Sequence, residues 1–462
     1  MYQHHLQGIF RKKKHILSPE KEKIIAQAGE MSMIPENTFG LLSNADLKFP
    51  SVKNHNGEYI AISQGNFVSL LRNKDRNFRK RVFRKYYQQY FLHRHTFASL
   101  LTGKLKKDRF FNKVRKYKNS LSAALFEDNI PIAVYDNLIN IAHKNVSLLQ
   151  KYIQLKKERL GYKNFYMYDM YTALSEKTDR IEYSKAQELI LAALQPLGSE
   201  YLEIVKKAFK ERWIDVYENK GKSSGAYSTG SYKSKPYILL NYQGTMEDVF
   251  TLAHELGHSL HSFYTNKEQP FIYSGYPIFL AEIASTTNEA LLINYIIKNN
   301  AESKKDTLLI LNNFLEQFRT TFFRQTMFAE FEKIIHQYEE KGGSLTAEWY
   351  SQQYADLIYK YYGNSVVIDK EIHMEWARIP HFYYDFYVYK YSTGFASAIA
   401  LSRRILQEGK TAVDEYLRFL GKGSSEYPIT ILKQTGVDMI SLNPLTEAMN
   451  LFAELLEQLE SI

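Results

Sequence analysis

The 462-residue chain contains no cysteine. Disulfides are thereby excluded, and any metal site must be built from nitrogen and oxygen donors alone. No uninterrupted apolar run approaches the roughly 20 residues needed to span a membrane. The N-terminal stretch MYQHHLQGIFRKKKH lacks the apolar centre of a secretory signal, so the cytoplasm is the expected compartment and no membrane partner is expected. Internal repeats, low-complexity tracts and Gly/Ser linkers are missing as well. The length suffices to bury a large core, and one continuous unit is expected rather than separable domains. Within it, residues 1–215 read as a helical N-terminal part and residues 216–462 as the part that carries the chemistry.

What is present is mostly helix. Apolar residues recur at helical spacing from about 67 to 160, with breaks expected near Gly103, Asp128 and Pro131. The same spacing covers 184–196, 199–213, 304–340, 346–361, 389–406 and 446–459, whereas 35–47 and 49–62 read as loops. The pattern changes between 224 and 245, where Gly225, Gly230, Pro236 and Gly244 punctuate runs such as YILLNY. This is the clearest strand signal in the chain and predicts a small antiparallel β element, a hairpin or small sheet. An exposed strand edge there can bind an extended peptide through its backbone.

Directly after it, residues 245–263, TMEDVFTLAHELGHSLHSF, read as one amphipathic helix containing the pattern HExxH. Successive helical residues turn by about 100°, so His254 and His258 project from one face about a turn apart. Two imidazoles at that spacing can share one zinc ion, with Glu255 beside the metal's open position. A carboxylate there can take a proton from water activated at the metal, which is the chemistry of a zinc peptidase.

A third protein ligand is required. The metzincin extension of the motif needs Gly and His where this chain has His261 and Tyr264, so that arrangement is excluded. His261 lies near the His254 face but about 10.5 Å along the axis, too far for compact coordination on one rigid rod. It remains the rival ligand or a supporting residue. Residues 279–299 form a second helical pattern carrying Glu282 and Glu289 on one face. An antiparallel helix pair would bring Glu282 to the two histidines, and Glu289 could hold a ligand histidine from behind. Ile278, Phe279, Leu280, Ala281, Ile283 and Ala284 crowd Glu282, and a carboxylate in that company needs a partner.

The formal net charge of +10 is concentrated. Between Arg72 and Lys118 there are 17 Lys or Arg against Asp75 and Asp108, a local excess of 15. Aromatic residues interleave with these charges. This is the basis of a rival reading as a polyanion- or nucleic-acid-binding protein. No nucleic-acid-binding motif accompanies the run, which argues against nucleic acid as a partner.

The segment HELGHSLHSFYTNKEQPFIYSGYPIFLAEIASTTNEALL closely resembles the core of the oligoendopeptidase F family, relatives of thimet oligopeptidase. Further matches are NADLKFP, ALFEDNIP, ERWIDVYENKGKSSGAYSTGSY, PYILLNYQGT, FRQTMFAEFE and EWARIPHFYYDFYVYKYSTGF, so the resemblance covers essentially the whole chain. It implies a mainly α, zincin-like catalytic domain with a deep cleft, and zinc-dependent cleavage of internal bonds in short peptides. It places one Zn2+ on His254, His258 and Glu282, with Glu255 as general base. It also implies that His381, Tyr384 and Tyr391 stabilise the transition state, for which phenol and imidazole donors beside an oxyanion are chemically apt. Members usually carry a further leading segment, so the chain is expected to be a shortened member. A peptide-binding protein impaired in turnover is therefore the main alternative.

Overall fold

The computed structural model describes residues 2–174, 180–299 and 304–462, with the side chains of 304–306 left out. Helices dominate throughout. Three of them organise the molecule around the HExxH motif: Met246–Glu268, Ile278–Asn299 and Tyr389–Glu408. Ile278–Asn299 lies between the other two and makes the most extensive helix contacts in the fold. Its sequence explains that position. Phe279, Leu280, Ile283, Ala284, Thr287, Ala290 and Leu291 are buried on several sides, and a helix apolar nearly all round must be packed on nearly all sides.

Two glycines set how closely these helices approach. A Cβ on Gly257 would sit 2.5 Å from Ser285 Cα and 2.7 Å from the Ala284 carbonyl oxygen, so only glycine permits this crossing. On the opposite side, a Cβ on Gly394 would lie 3.5 Å from Glu282 Cβ. Glu282 thus stands where Tyr389–Glu408 presents no side chain.

The β element before the motif helix has three strands rather than a hairpin alone. Tyr227–Thr229 pairs antiparallel with Tyr237–Leu239, and Ile214–Asp215 joins the other side of Tyr237–Leu239 in parallel. The strongest strand signal is therefore the central strand. The edge facing the motif helix belongs to Tyr227–Thr229, which packs against that helix.

Two sequence expectations fail for a shared reason. Residues 35–47, expected as loop, contain the helix Ile34–Leu41 and a π-helical turn over Leu42–Asp46. The break expected near Gly103 is absent, since Arg94–Val114 runs straight through it. A Cβ on Gly103 would sit 3.1 Å from Pro35 Cγ, so Gly103 gives room for the short helix rather than ending the long one. The expected loop at 49–62 holds a minimal antiparallel pair, Val52–Lys53 with Tyr59–Ile60. The long pattern over 304–340 is helical from Lys304 on but widens into a π-helical turn at Phe318–Phe323.

Part of the basic run is paired with acids from other parts of the chain. Arg76 and Arg79 share the buried Asp169, Arg84 meets Glu371, Arg94 meets Glu348, Arg109 meets Glu339 and Arg115 meets Glu22. Lys104, 1% exposed, is held by Asp108 and Asp385. Of the aromatics interleaved in the basic run, Phe78, Phe83, Tyr86, Tyr87 and Tyr90 are core residues, whereas Phe91 is exposed. Among the described residues no helix is long and apolar enough to cross a membrane.

Candidate active site

The motif helix begins at a capping box. Thr245 Oγ1 accepts the Asp248 N–H at 3.2 Å while the Asp248 carboxylate accepts the Thr245 N–H at 2.9 Å. From this fixed start, two turns on, His254 and His258 bring their Nε2 atoms within 3.1 Å of each other. Glu282 Oε2 lies 3.5 Å from His254 Nε2 and 3.8 Å from His258 Nε2. Among the described residues this is the group whose donor atoms converge as metal ligands do, all within 4.8 Å of one another. Donors 2.0–2.2 Å from a tetrahedral zinc stand about 3.3–3.6 Å apart. The observed separations bracket that range, so this donor set fits zinc without moving the backbone.

Behind the histidines, His254 Nδ1 lies 2.5 Å from Glu289 Oε1, and Glu289 Oε2 accepts a hydrogen bond from Gln317 Nε2 at 2.8 Å. Glu289 therefore fixes the imidazole with its Nε2 turned towards His258 and Glu282. Burial opposes protonation of His254, but Glu289, then Glu282 and Glu255, outweigh it and push the group up to about 9. Burial, then the neighbouring His254, push His258 down to about 3 against the opposing pull of its hydrogen bond to the Ala281 backbone.

Glu255 is 6% exposed, and its Oε2 has no hydrogen-bond partner. Burial lifts its carboxyl above the ordinary range, opposed by His254, while Glu282 and Glu289 lift it further and the Ser228 backbone N–H pulls back. The Ser228 hydroxyl bonds Ser259 Oγ at 2.8 Å, tying the edge strand to the motif helix. One carboxylate oxygen of Glu255 is thus held in reserve, beside the converging histidines.

His261 does not join this group. It is 1% exposed, stacks on Tyr276 with ring centroids 3.7 Å apart, and neither ring nitrogen has a hydrogen-bond partner. The sequence reading kept it as a rival ligand or support. Its place between Tyr276 and Phe419 leaves it contacting neither His254 nor His258 through a polar atom.

The late segment forms an aromatic cluster. His381 Nε2 lies 3.4 Å from the Tyr391 hydroxyl, and the His381 ring is 5.8 Å from those of Tyr384, Tyr387 and Tyr391. Tyr391 is one turn before Gly394 on the helix that faces Glu282. Burial, then Tyr387, then Glu282 hold its phenol protonated well above the ordinary range. Tyr384 belongs to the cluster but is 47% exposed; its backbone N–H donates to the His381 carbonyl at 2.9 Å, and its side chain meets His381 by ring contact. Sequence reasoning missed Tyr387, which stacks on His381 and packs on Tyr391. It also missed Gln317, whose only signal is that a helical residue must reach Glu289.

Residues 69–451 match Peptidase family M3, and residues 1–49 match the Oligopeptidase F description. The chain belongs to peptidase family M3. It is 48% identical over 463 residues to the oligopeptidase PepF of Bacillus subtilis, covering all of this chain and 69% of that protein. To an oligoendopeptidase F homolog of Lactococcus lactis the identity is 43%, covering all of this chain and 76% of the relative. The crystal structure of oligoendopeptidase-F from Enterococcus faecium superposes with a TM-score of 0.85 at 38% identity, over all of this chain and 77% of that one. This M3 family member is accordingly a metalloendopeptidase, and its helical fold is that of its relatives.

Proposed function

We propose that this M3 peptidase is a zinc-dependent oligoendopeptidase that hydrolyses internal bonds of short peptides, with Glu255 as general base. The observation that carries the reading is the convergence of His254 Nε2, His258 Nε2 and Glu282 Oε2 beside a buried carboxylate with one oxygen uncommitted. His254, His258 and Glu282 would hold the metal, and Glu289 would orient His254. A bound zinc ion supplies Lewis acidity towards the scissile carbonyl and makes water a better acid.

The remaining work falls to the chain's own groups. Glu255 takes the proton from the attacking water and delivers it to the leaving amine as the bond breaks. Its raised proton affinity suits the second half of that task. His381 and Tyr391 donate to the oxygen on which negative charge develops, with Tyr384 a more exposed third donor. The substrate backbone pairs with the edge strand Tyr227–Thr229, whose other edge is already taken by Tyr237–Leu239. Backbone pairing selects for extended shape over particular side chains, which is in keeping with a peptidase of loose sequence preference.

The test is mass spectrometry of a mixed oligopeptide pool incubated with zinc-loaded protein, with Glu255→Gln as control. Internal cleavage by the parent alone supports the mechanism. Equal turnover by the variant overturns it, and binding without cleavage by either makes a peptide-binding role the leading account.

A further inference from the structure

We propose that the cavity framed by Arg319, Arg324 and Arg378 is a binding site for one small monovalent anion of the halide class. Arg319 lies in the π-helical turn Phe318–Phe323, Arg324 begins the helix that follows, and Arg378 ends the helical segment Lys370–Arg378. With Lys156 they form a group of four cations, Lys156 and Arg319 buried at 2% and 1% exposed and Arg324 and Arg378 partly buried at 15% and 18%.

Among the described residues these four share two carboxylates. Glu375 Oε1 accepts from Arg324 Nη2 at 2.5 Å and from Arg378 Nη2 at 2.7 Å, while Tyr354 donates to its Oε2 at 2.6 Å. Glu316 Oε2 accepts from Arg319 Nε and Nη2 at 3.0 and 2.6 Å, and its Oε1 takes Lys156 and Tyr152 at 3.0 and 2.6 Å. Both acids are fully ionised at neutral pH. Burial works against that, but the adjoining cations hold each down to about 2. Among the described residues the group therefore carries a formal excess of two positive charges, although burial lowers the proton affinity of Lys156. Asp169, close in sequence to the cavity-lining Met167 and Met170, offers no relief because Arg76 and Arg79 already share it. Buried charge without a counter-charge is strongly unfavourable.

The cavity has the size and lining to supply the missing charge. Its volume is about 20 Å³, and Arg319, Arg324 and Arg378 line it together with Glu375 and with apolar residues that include Phe67, Met167 and Met170. That is room for one water-sized particle, too little for a phosphate or a peptide terminus. Water would satisfy N–H groups but leave the charge. Arg324 commits only Nη2 to Glu375, and its guanidinium carbon rests 4.5 Å over the Phe328 ring. The site bears on the catalytic region, because Arg324 adds to burial in lowering the proton affinity of His381. An anion beside Arg324 weakens that effect.

The zinc-loaded protein is crystallised from sodium bromide, and thermal unfolding is followed in sodium chloride, bromide and gluconate at equal ionic strength. Expected are an anomalous bromide peak in the cavity and a Tm about 2–4 °C higher in either halide than in gluconate. A Met167→Glu variant supplies the carboxylate internally. It should lose the halide dependence and match the halide-bound parent in gluconate. Equal Tm in all three salts with no anomalous peak in the cavity overturns the site, whether or not Met167→Glu folds. None of these readouts depends on peptidase activity, so failure here is distinguishable from failure of the functional reading.

Discussion

His254 Nδ1 and Glu289 Oε1 lie 2.5 Å apart, and the same glutamate is held from its other oxygen by Gln317. The carboxylate fixes one imidazole nitrogen as donor and leaves Nε2 for a metal. Glu289→Gln, which cannot accept as strongly, should weaken zinc binding about 10- to 100-fold, as losses of such supporting partners do. Competition against a chelator of known affinity measures this directly. Unchanged affinity would show that Glu289 serves packing alone.

Gly257 makes the second prediction. An alanine there drives a methyl group into Ser285 and the Ala284 carbonyl, and both are helix backbone that cannot rotate away. Gly257→Ala should cost about 1–3 kcal/mol in urea unfolding and lower zinc occupancy by parting the two helices that carry the proposed ligands. A stable variant with full zinc content would mean that the helices can slide.

The two late tyrosines are expected to separate by role. Tyr391 bonds His381 and lies one turn from the residue facing Glu282, whereas Tyr384 is half exposed and touches His381 through ring contact. Tyr391→Phe should lower kcat about 100-fold with little change in KM, the pattern of a donor used only in the transition state. Tyr384→Phe should change kcat by only a few-fold. The reverse order would transfer the donor role to Tyr384.

A pH signature is expected from the anchor of the aromatic segment. Glu332 accepts the Phe386 N–H at 2.7 Å, fully buried, and burial pushes it up to about 7 against the opposing pull of His336 and Lys104. Its folded value exceeds the ordinary 4.5, so the folded state holds the proton more tightly than the unfolded chain. Stability from this group therefore falls as pH rises from about 4.5 to 7 and stays low above that. Glu332→Gln keeps an acceptor for Phe386 without the charge. Its advantage over the parent should be small at pH 4.5 and grow to about 3 kcal/mol by pH 8. A difference independent of pH would remove Glu332 from this account.

The legible parts of the sequence were those where a local period met an unusual residue. HExxH sits on an unbroken amphipathic pattern, and Glu282 is conspicuous because an acid among Phe279, Leu280 and Ile283 lacks a local partner. The short helix Ile34–Leu41 was illegible because Pro35, Asn37 and Gly40 carry loop signals, and only packing against Gly103 decides otherwise. Tyr387 is hidden among 36 tyrosines, many of which pack the interior. The widening at Phe318–Phe323 has no periodic signature, since one extra residue in a turn leaves the surrounding apolar spacing helical. Charge pairing was equally invisible. The run from Arg72 to Lys118 looked like a cationic surface because its counter-charges, Glu22, Asp169, Glu339, Glu371 and Asp385, lie far away in the sequence.

The contact between Gly257 and Ser285 bears on which ions the proposed site admits. Two of the proposed ligands ride on one helix and the third on its neighbour, so the gap between the rods helps set the coordination radius. A cation demanding longer bonds must pry apart helices clamped by Leu256, Leu280 and Ile283, which are wholly buried. A smaller one cannot draw them closer, since backbone already touches backbone. Ion selectivity would then be a mechanical property of the core, tunable by substitutions that never touch the metal.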